Sequence, residues 1–397
     1  MPGHGAAEYG KGMQMTIMTD AQRSAASAAA ACRMGYAIWR VPGGDAFRMI
    51  VATGPARTRP VFGAETPPGF VLCPFDATDG NAALHLAADI EVGADIRYRR
   101  GDALTDTPQT DAQAAFAAAD AQGPLQAAPS DLPEPAPTER AAYEARVARA
   151  VAAIEAGRAE KIVLSRIDPR PLAPDHDLRE LLEALARAYP QAFVCLTSSA
   201  EAGTWLVATP EILLTADADG VRTMALAGTQ WPEPGTDIAA LTWPQRIVDE
   251  QAVVAREIAR AFAAAGLHDT TETPAGTVQA ANLCHLRSDF HAPAATPEQL
   301  ADLLRKLHPT SAVCGMPRAA ARDFILSEEG PTRGFYTGYL GPVNIDGETR
   351  LQVNLRTARI TPTHAYLHVG GGIVAASDPA TEYEETVQKA RTIGAVL

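Results

Sequence analysis

Between residues 192 and 228 four short apolar runs follow one another: "AFVCLTS", "GTWLVAT", "EILLTAD" and "VRTMALAG". Only turn signals separate them. Parallel neighbours need a crossover of a dozen residues or more, so strands this closely spaced must double back on each other. The spacing predicts antiparallel sheet. Further strands are read in "GYAIWRVPGG" to "FVLCPF" (35–75), "KIVLSR" (161–166), "GFYTGYLGPVNI", "RLQVNLRTARI" and "AYLHVGG". Long helices stand between the runs. In "ERAAYEARVARAVAAIEAGRAE", Tyr143, Val147, Val151 and Ile154 recur at helical spacing. "RIVDEQAVVAREIARAFAAAG" (246–266) reads as a second long helix, closed by Gly266. Strands in runs with helices between them favour an α+β fold of large antiparallel sheets with helices outside, over a doubly wound sheet.

Three regions are expected. Residues 1–33 form a weakly ordered leader or a first helix. Residues 34–138 form an N-terminal part ending in "GPLQAAPSDLPEPAPT", a Pro-rich linker or surface crossing. Residues 139–397 carry the chemistry. A net charge of −13 argues against a general nucleic-acid or anionic-membrane binder. An anionic ligand would then need local positive charge or a metal. The five cysteines include no CxxC pair, so neither a zinc site nor a disulfide framework is indicated, and reduced thiols in the cytoplasm are expected. No run of about 18 apolar residues predicts a membrane span.

The stretch "GGGIVAASDPATEYEETVQKAR" gathers Glu382, Glu384 and Glu385 within four positions, although like charges repel on a helix. Asp378 fits an N-cap and Pro379 the first helical position. Glu382, Glu385 and Lys389 then share one face. They read either as an acidic first turn favoured by the helix dipole or as part of a divalent-metal site, which needs a third ligand. Glu250 is a candidate for the third, though a solvated surface position explains it equally well. Lys161 opens a strand and shares a face with Val163 and Ser165. Turned into a desolvated pocket it could take a proton; otherwise it faces solvent. Glu211 follows a proline, in an exposed turn or beside a site. "LQVNLRTARI" alternates, with Gln352, Asn354 and Arg356 on one face, and an arginine there suits a carboxylate. The glycines of "ALAGT" and "HVGGG" let backbone N–H groups approach an anion.

Together these segments resemble the chorismate-utilising enzymes: isochorismate synthases, salicylate synthases and the large subunits of anthranilate and aminodeoxychorismate synthases. "KIVLSR", "ATPEILL", "ALAGT", "HLRSDF", "LHPTSAVCGMPRAAA", "GFYTGYLG", "LQVNLRTARI" and "VGGGIVAASDPATEYEETVQKA" stand in the family's order over residues 158 to 395. The resemblance implies that Glu250, Glu382 and Glu385 bind Mg2+, which offsets their repulsion. It implies Lys161 as the base that activates water at C2 of chorismate, and Glu211 as the acid for the departing C4 hydroxyl. Arg356 and Lys389 match carboxylate-binding positions, and Gly228, Thr229 and Gly370 match backbone lining the substrate. His285, Ala312 and Val313, in two further matched segments, are taken as substrate-binding too. Lys161 and "HPTSAV" resemble the water-using branch, whereas anthranilate synthases usually carry Gln at the lysine position. The implied activity is isochorismate synthase, an isomerase feeding menaquinone or siderophore synthesis and acting as a monomer or weak homodimer. Salicylate synthase and a catalytically silent chorismate binder are the alternatives. The chain departs from the family's common pattern at Gln251, Gln230, Tyr383 and "RIV" (246–248), all near the implied site.

Overall fold

A computed structural model describes residues 17–397, apart from 122, 129, 131, 231, 233–235, 281 and 282; of residues 229, 239, 279, 280 and 283 it describes the backbone only. Two large sheets organise the chain, and every strand pairing within them is antiparallel. The first has 11 strands, with Lys161–Pro171 and His364–Ile373 side by side near one end and Gly35–Arg40 towards the other. The second has 10 strands, with Gly220–Gln230, Ile212–Asp217, Thr349–Val353 and Tyr339–Val343 adjacent in that order. Both sheets draw strands from before and after residue 138, so the N-terminal third is woven into the same two layers.

Eight α-helices stand among the described residues: α1 (Asp20–Ala31), α2 (Asp111–Ala118), α3 (Arg140–Glu155), α4 (Leu178–Ala188), α5 (Gln245–Ala264), α6 (Pro297–Leu307), α7 (Arg318–Glu329) and α8 (Pro379–Gly394). α5 and α6 cover the outer face of the second sheet, where Ala255, Ile258 and Phe262 meet Leu214, Ala225 and Leu303. α3 and α7 pack on the end of the first sheet that carries Ile162 and Leu164. α8 lays Ala390 and Ile393 on Leu367 and Val369. Between the sheets lies a separate apolar layer containing Trp39, Phe70, Phe193, Trp205 and Leu340. Burying side chains of this size supplies on the order of 1.5–3 kcal/mol each.

For residues 1–33 the helical alternative holds over Asp20–Ala31; residues 1–16 lie outside the described part. Thr19 and Gln22 form a reciprocal capping box, and Gln22 Nε2 donates to the carbonyls of Phe47 and Val92. The Pro-rich stretch crosses the surface and is tied down: Arg359 donates to the carbonyls of Leu132 and Pro133.

One reading from the sequence is corrected. "LQVNLRTARI" is not one strand with a polar face. Thr349–Val353 belongs to the second sheet and Thr357–Ile360 to the first. The chain passes between the layers at residues 354–356, where Arg356 takes a left-handed φ of 47°. Gln352 and Asn354 are fully buried rather than solvated. The alternation is genuine within each piece, but non-local pairing decides which sheet each piece joins.

Candidate active site

Five segments converge where the chain crosses between the sheets: the start of the Lys161 strand, the Pro210–Glu211 turn, residues 311–313, the 354–356 crossing and the Gly370–Gly372 strand end. A cavity of about 120 Å3 there is lined by Val163, Ala312, Val313, Tyr336, Arg356, Gly370 and Lys389, among others.

Lys161 points inward. Its Nζ donates to Glu250 Oε1 at 2.7 Å, which joins the strand to α5. Room for it comes from Gly372: a Cβ there would stand 2.7 Å from Lys161 Cε. A lysine end can move aside, so Gly372→Ala is expected to leave the thermal midpoint unchanged. It should displace the amine and lower kcat roughly 10- to 100-fold. Paired melting and steady-state measurements check this; undiminished kcat would contradict the inward role of Lys161.

Glu211 sits just before strand Ile212–Asp217, its carbonyl accepting from Val353 N at 3.0 Å. Burial of the carboxyl pushes its pKa up to about 7, against the pull of Lys161 and Arg356, the two cations near enough to lower it. The acid is therefore substantially protonated near neutrality, as a proton donor requires.

Arg356 is enclosed, and burial lowers its pKa from the usual guanidinium value. Its Nη1 donates to Thr392 Oγ1 on α8 at 2.9 Å. Lys389 donates to the carbonyl of Gly370 at 2.9 Å and pairs with Glu385 at 2.6 Å. Two cationic groups thus border one small cavity, as a dicarboxylate ligand would need.

α8 begins as its sequence suggests: Asp378 accepts from Thr381 N and Pro379 opens the helix. Glu382 Oε2 and Glu385 Oε1 lie 3.2 and 4.0 Å from the point a Gly371 Cβ would occupy, so the glycine leaves space for both carboxylates. Burial raises the Glu382 pKa, and Ser377 Oγ donates to its Oε1 at 2.6 Å. Glu250, however, stands with Lys161. Among the described residues no three acids, histidines or cysteines are gathered at metal-binding separation. Each carboxylate has taken its nearest donor: Lys161 for Glu250, Lys389 for Glu385 and Ser377 for Glu382. The donor chemistry of hard carboxylate oxygens suits a divalent cation: Glu382 and Glu385 stand together beside Gly371, and Glu250 would have to part from Lys161 to join them.

Gly228 has φ 64° at an irregularity in the pairing of Gly220–Gln230 with Leu283–Ala292, and a Cβ there would strike Ile247 and Trp243. His285 Nδ1 bonds the Gly228 carbonyl at 2.8 Å, and burial lowers its pKa. The Thr229 side chain lies outside the described part.

Sequence reasoning missed the support beneath the cavity. Glu329 accepts from Ser165 N and Oγ and pairs with Arg333, both side chains being almost wholly buried. Arg333 in turn donates to the carbonyls of Val163 and Val313, joining two cavity walls. The i, i+4 spacing of Glu329 and Arg333 in "EEGPTRG" was the available signal, but it is shared by many surface pairs. Tyr336 was also missed: its hydroxyl would lie 2.9 Å from a Cβ on Gly370, inside the cavity.

The chain is similar to several known proteins. The salicylate biosynthesis isochorismate synthase of Pseudomonas aeruginosa is 34% identical over 328 residues, which cover 80% of this chain and 64% of that protein. Anthranilate synthase component 1 of Streptomyces coelicolor is 34% identical over 270 residues, 64% of this chain and 50% of that one. The match thus spans half to just under two thirds of the length of these relatives. Among solved structures, MenF, the menaquinone-specific isochorismate synthase from Escherichia coli, shares the fold with a TM-score of 0.73 over 94% of this chain and 91% of its own, at 23% identity. The crossing arginine, the half-buried Glu211 and the glycine-flanked α8 carboxylates all fall within residues 80–397, the part matched by the family described as chorismate binding enzyme, and the chain belongs to that family.

Proposed function

We propose that the protein converts chorismate to isochorismate, adding water at C2 with loss of the C4 hydroxyl. The observation that carries this reading is Glu211, an acid raised to about 7 beside Lys161 and Arg356. In the reaction Lys161, released from Glu250 and having first given its ammonium proton to solvent, uses the neutral amine to take a proton from water as the water oxygen bonds to C2. The ring electrons shift, and the C4–O bond breaks as Glu211 gives its proton to the departing oxygen. One water enters and one leaves, so the sum is an isomerisation. Each proton transfer of this kind is typically worth 10²–10⁴-fold. Arg356 and Lys389 hold the carboxylates of the substrate. Glu250, Glu382 and Glu385 would hold Mg2+, which supplies positive charge for the ring carboxylate. Lys161, together with "HPTSAV", favours water over ammonia as nucleophile.

The test is chorismate turnover with Mg2+ and excess ammonium, with products separated by chromatography. A hydroxylated isomer is expected as the main species; a main product carrying an amine would overturn the reading. Excess EDTA is expected to abolish turnover, and Glu385→Gln to raise the Mg2+ concentration needed for half-maximal rate. Full activity under chelation would contradict the metal assignment.

A further inference from the structure

A larger cavity, about 330 Å3, is lined in part by Glu211 and lies beneath α5 and the end of α6 on the outer face of the second sheet. Its volume is that of a small-molecule site. Leu213, Met224, Leu226, Val254 and Ile258 make most of its wall apolar.

Its polar groups have an unusual balance for a chain of net charge −13. Arg260 and Arg318 both line it, and neither forms an ion pair with a described carboxylate. Arg318 is held in place by the carbonyls of Lys306 and Pro309, so its charge is fixed without being neutralised. Lys306 also lines the cavity, though Asp302 stands 3.5 Å from its amine. The acids on the wall are Glu257 and Glu211. Thr310 Oγ1, on the same wall, is buried with no hydrogen-bond partner. A buried hydroxyl left unpaired is unfavourable, and a ligand oxygen would supply the missing partner. Apolar walls, two guanidinium groups without an ion-pair partner among the described residues (Arg260 exposed at the rim, Arg318 half-buried) and an orphaned hydroxyl together suit a small apolar molecule carrying one carboxylate.

The cavity shares Glu211 with the reaction it adjoins, and shares Ala312 with the wall of the substrate cavity. We propose that it is a second ligand site, which takes a small, largely apolar monocarboxylate and alters turnover through Glu211. The influence on turnover rests on the function proposed above; the binding does not.

Benzoate serves as the probe. Titration calorimetry without chorismate reads binding alone, so its outcome stands whatever reaction the protein performs. Saturable binding is expected, weakened roughly 10-fold or more in Arg260→Glu by loss of one charge-assisted contact. Ala264→Trp, at an exposed position on the rim, should also block it while leaving the thermal midpoint unchanged. In steady-state assays benzoate should lower kcat for chorismate without raising KM, and both variants should relieve the effect. Absence of saturable benzoate binding, or binding indifferent to both substitutions, would overturn the site. Binding with unchanged kcat would overturn the coupling. Simple competition with chorismate would show that the cavity is part of the substrate's own path.

Discussion

Replacing Glu211 by glutamine is expected to lower kcat for chorismate at least about 10²-fold with KM little changed. Glutamine keeps the size and hydrogen-bonding reach of the side chain but cannot surrender a proton to a leaving oxygen. The substitution removes a transition-state interaction and leaves the carboxylate-binding groups Arg356 and Lys389 in place. Lys161→Ala should cost a comparable factor for the complementary reason, since water then has no base. The wild-type protein should also lose kcat as pH rises through about 7, where the Glu211 carboxyl gives up its proton. The same group bears on stability. Its folded pKa is raised above that of an unfolded carboxyl, so its contribution is fully present below the ordinary carboxylate range and is lost as pH rises through about 7. Glu211→Gln should flatten that part of the stability profile. Steady-state kinetics from pH 5 to 9 with denaturant titrations at the same pH values check both. A change confined to KM would remove Glu211 from the proton-transfer role.

Truncating Glu329 to alanine is expected to destabilise the fold by roughly 3–5 kcal/mol. Its carboxylate is fully enclosed and holds Arg333, whose side chain is only 3% exposed. Alanine would leave a guanidinium buried without a counter-charge and strip Ser165 N and Oγ of their acceptor. The damage should extend to the site, because Arg333 ties Val163 to Val313. The double variant Glu329→Leu/Arg333→Met should recover much of the stability, since an apolar pair carries no uncompensated charge. It should not recover activity, because the two walls would no longer be joined. Denaturant unfolding of the three proteins decides this. A Glu329→Ala variant within about 1 kcal/mol of wild type would mean that water reaches the pair and that it is not a structural clamp.

Local signals carried much of the architecture. α3 places Tyr143, Val147 and Ile154 in the core as their spacing predicts, and α8 starts at the Asp378–Pro379 signal. α5 ends just short of Gly266, whose φ of 76° is one that glycine adopts without strain. Helix periodicity and caps act over a few residues, so a sequence displays them directly. Sheet membership does not have that property. The crossing at Arg356 depends on Thr357–Ile360 pairing with Gly203–Thr209 about 150 positions away, and nothing within "LQVNLRTARI" encodes it.

The site divides the same way. Residues set by short motifs, such as Lys389 four positions after Glu385, could be placed on one face from spacing alone, and they pair at 2.6 Å. The pairing of Lys161 with Glu250, separated by 89 positions, could not. Nor could the burial that raises Glu211, because a glutamate after a proline carries no local mark of enclosure. For these residues the resemblance to a family implied roles, but neither the Lys161–Glu250 pair nor the enclosure of Glu211 could be read from spacing. The geometry adds the second cavity behind Glu211 and the Glu329–Arg333 support, which no motif announced.

The proposed reaction is expected to stop once water has added. Purified protein incubated with chorismate and Mg2+ near neutral pH, with pyruvate followed by a coupled assay and salicylate by fluorescence, tests it most directly. Isochorismate should accumulate towards equilibrium with chorismate, with pyruvate appearing no faster than in an enzyme-free control. Enzyme-dependent pyruvate and salicylate in equal amounts would contradict the account, showing that the same cavity carries isochorismate on through loss of its enolpyruvyl group.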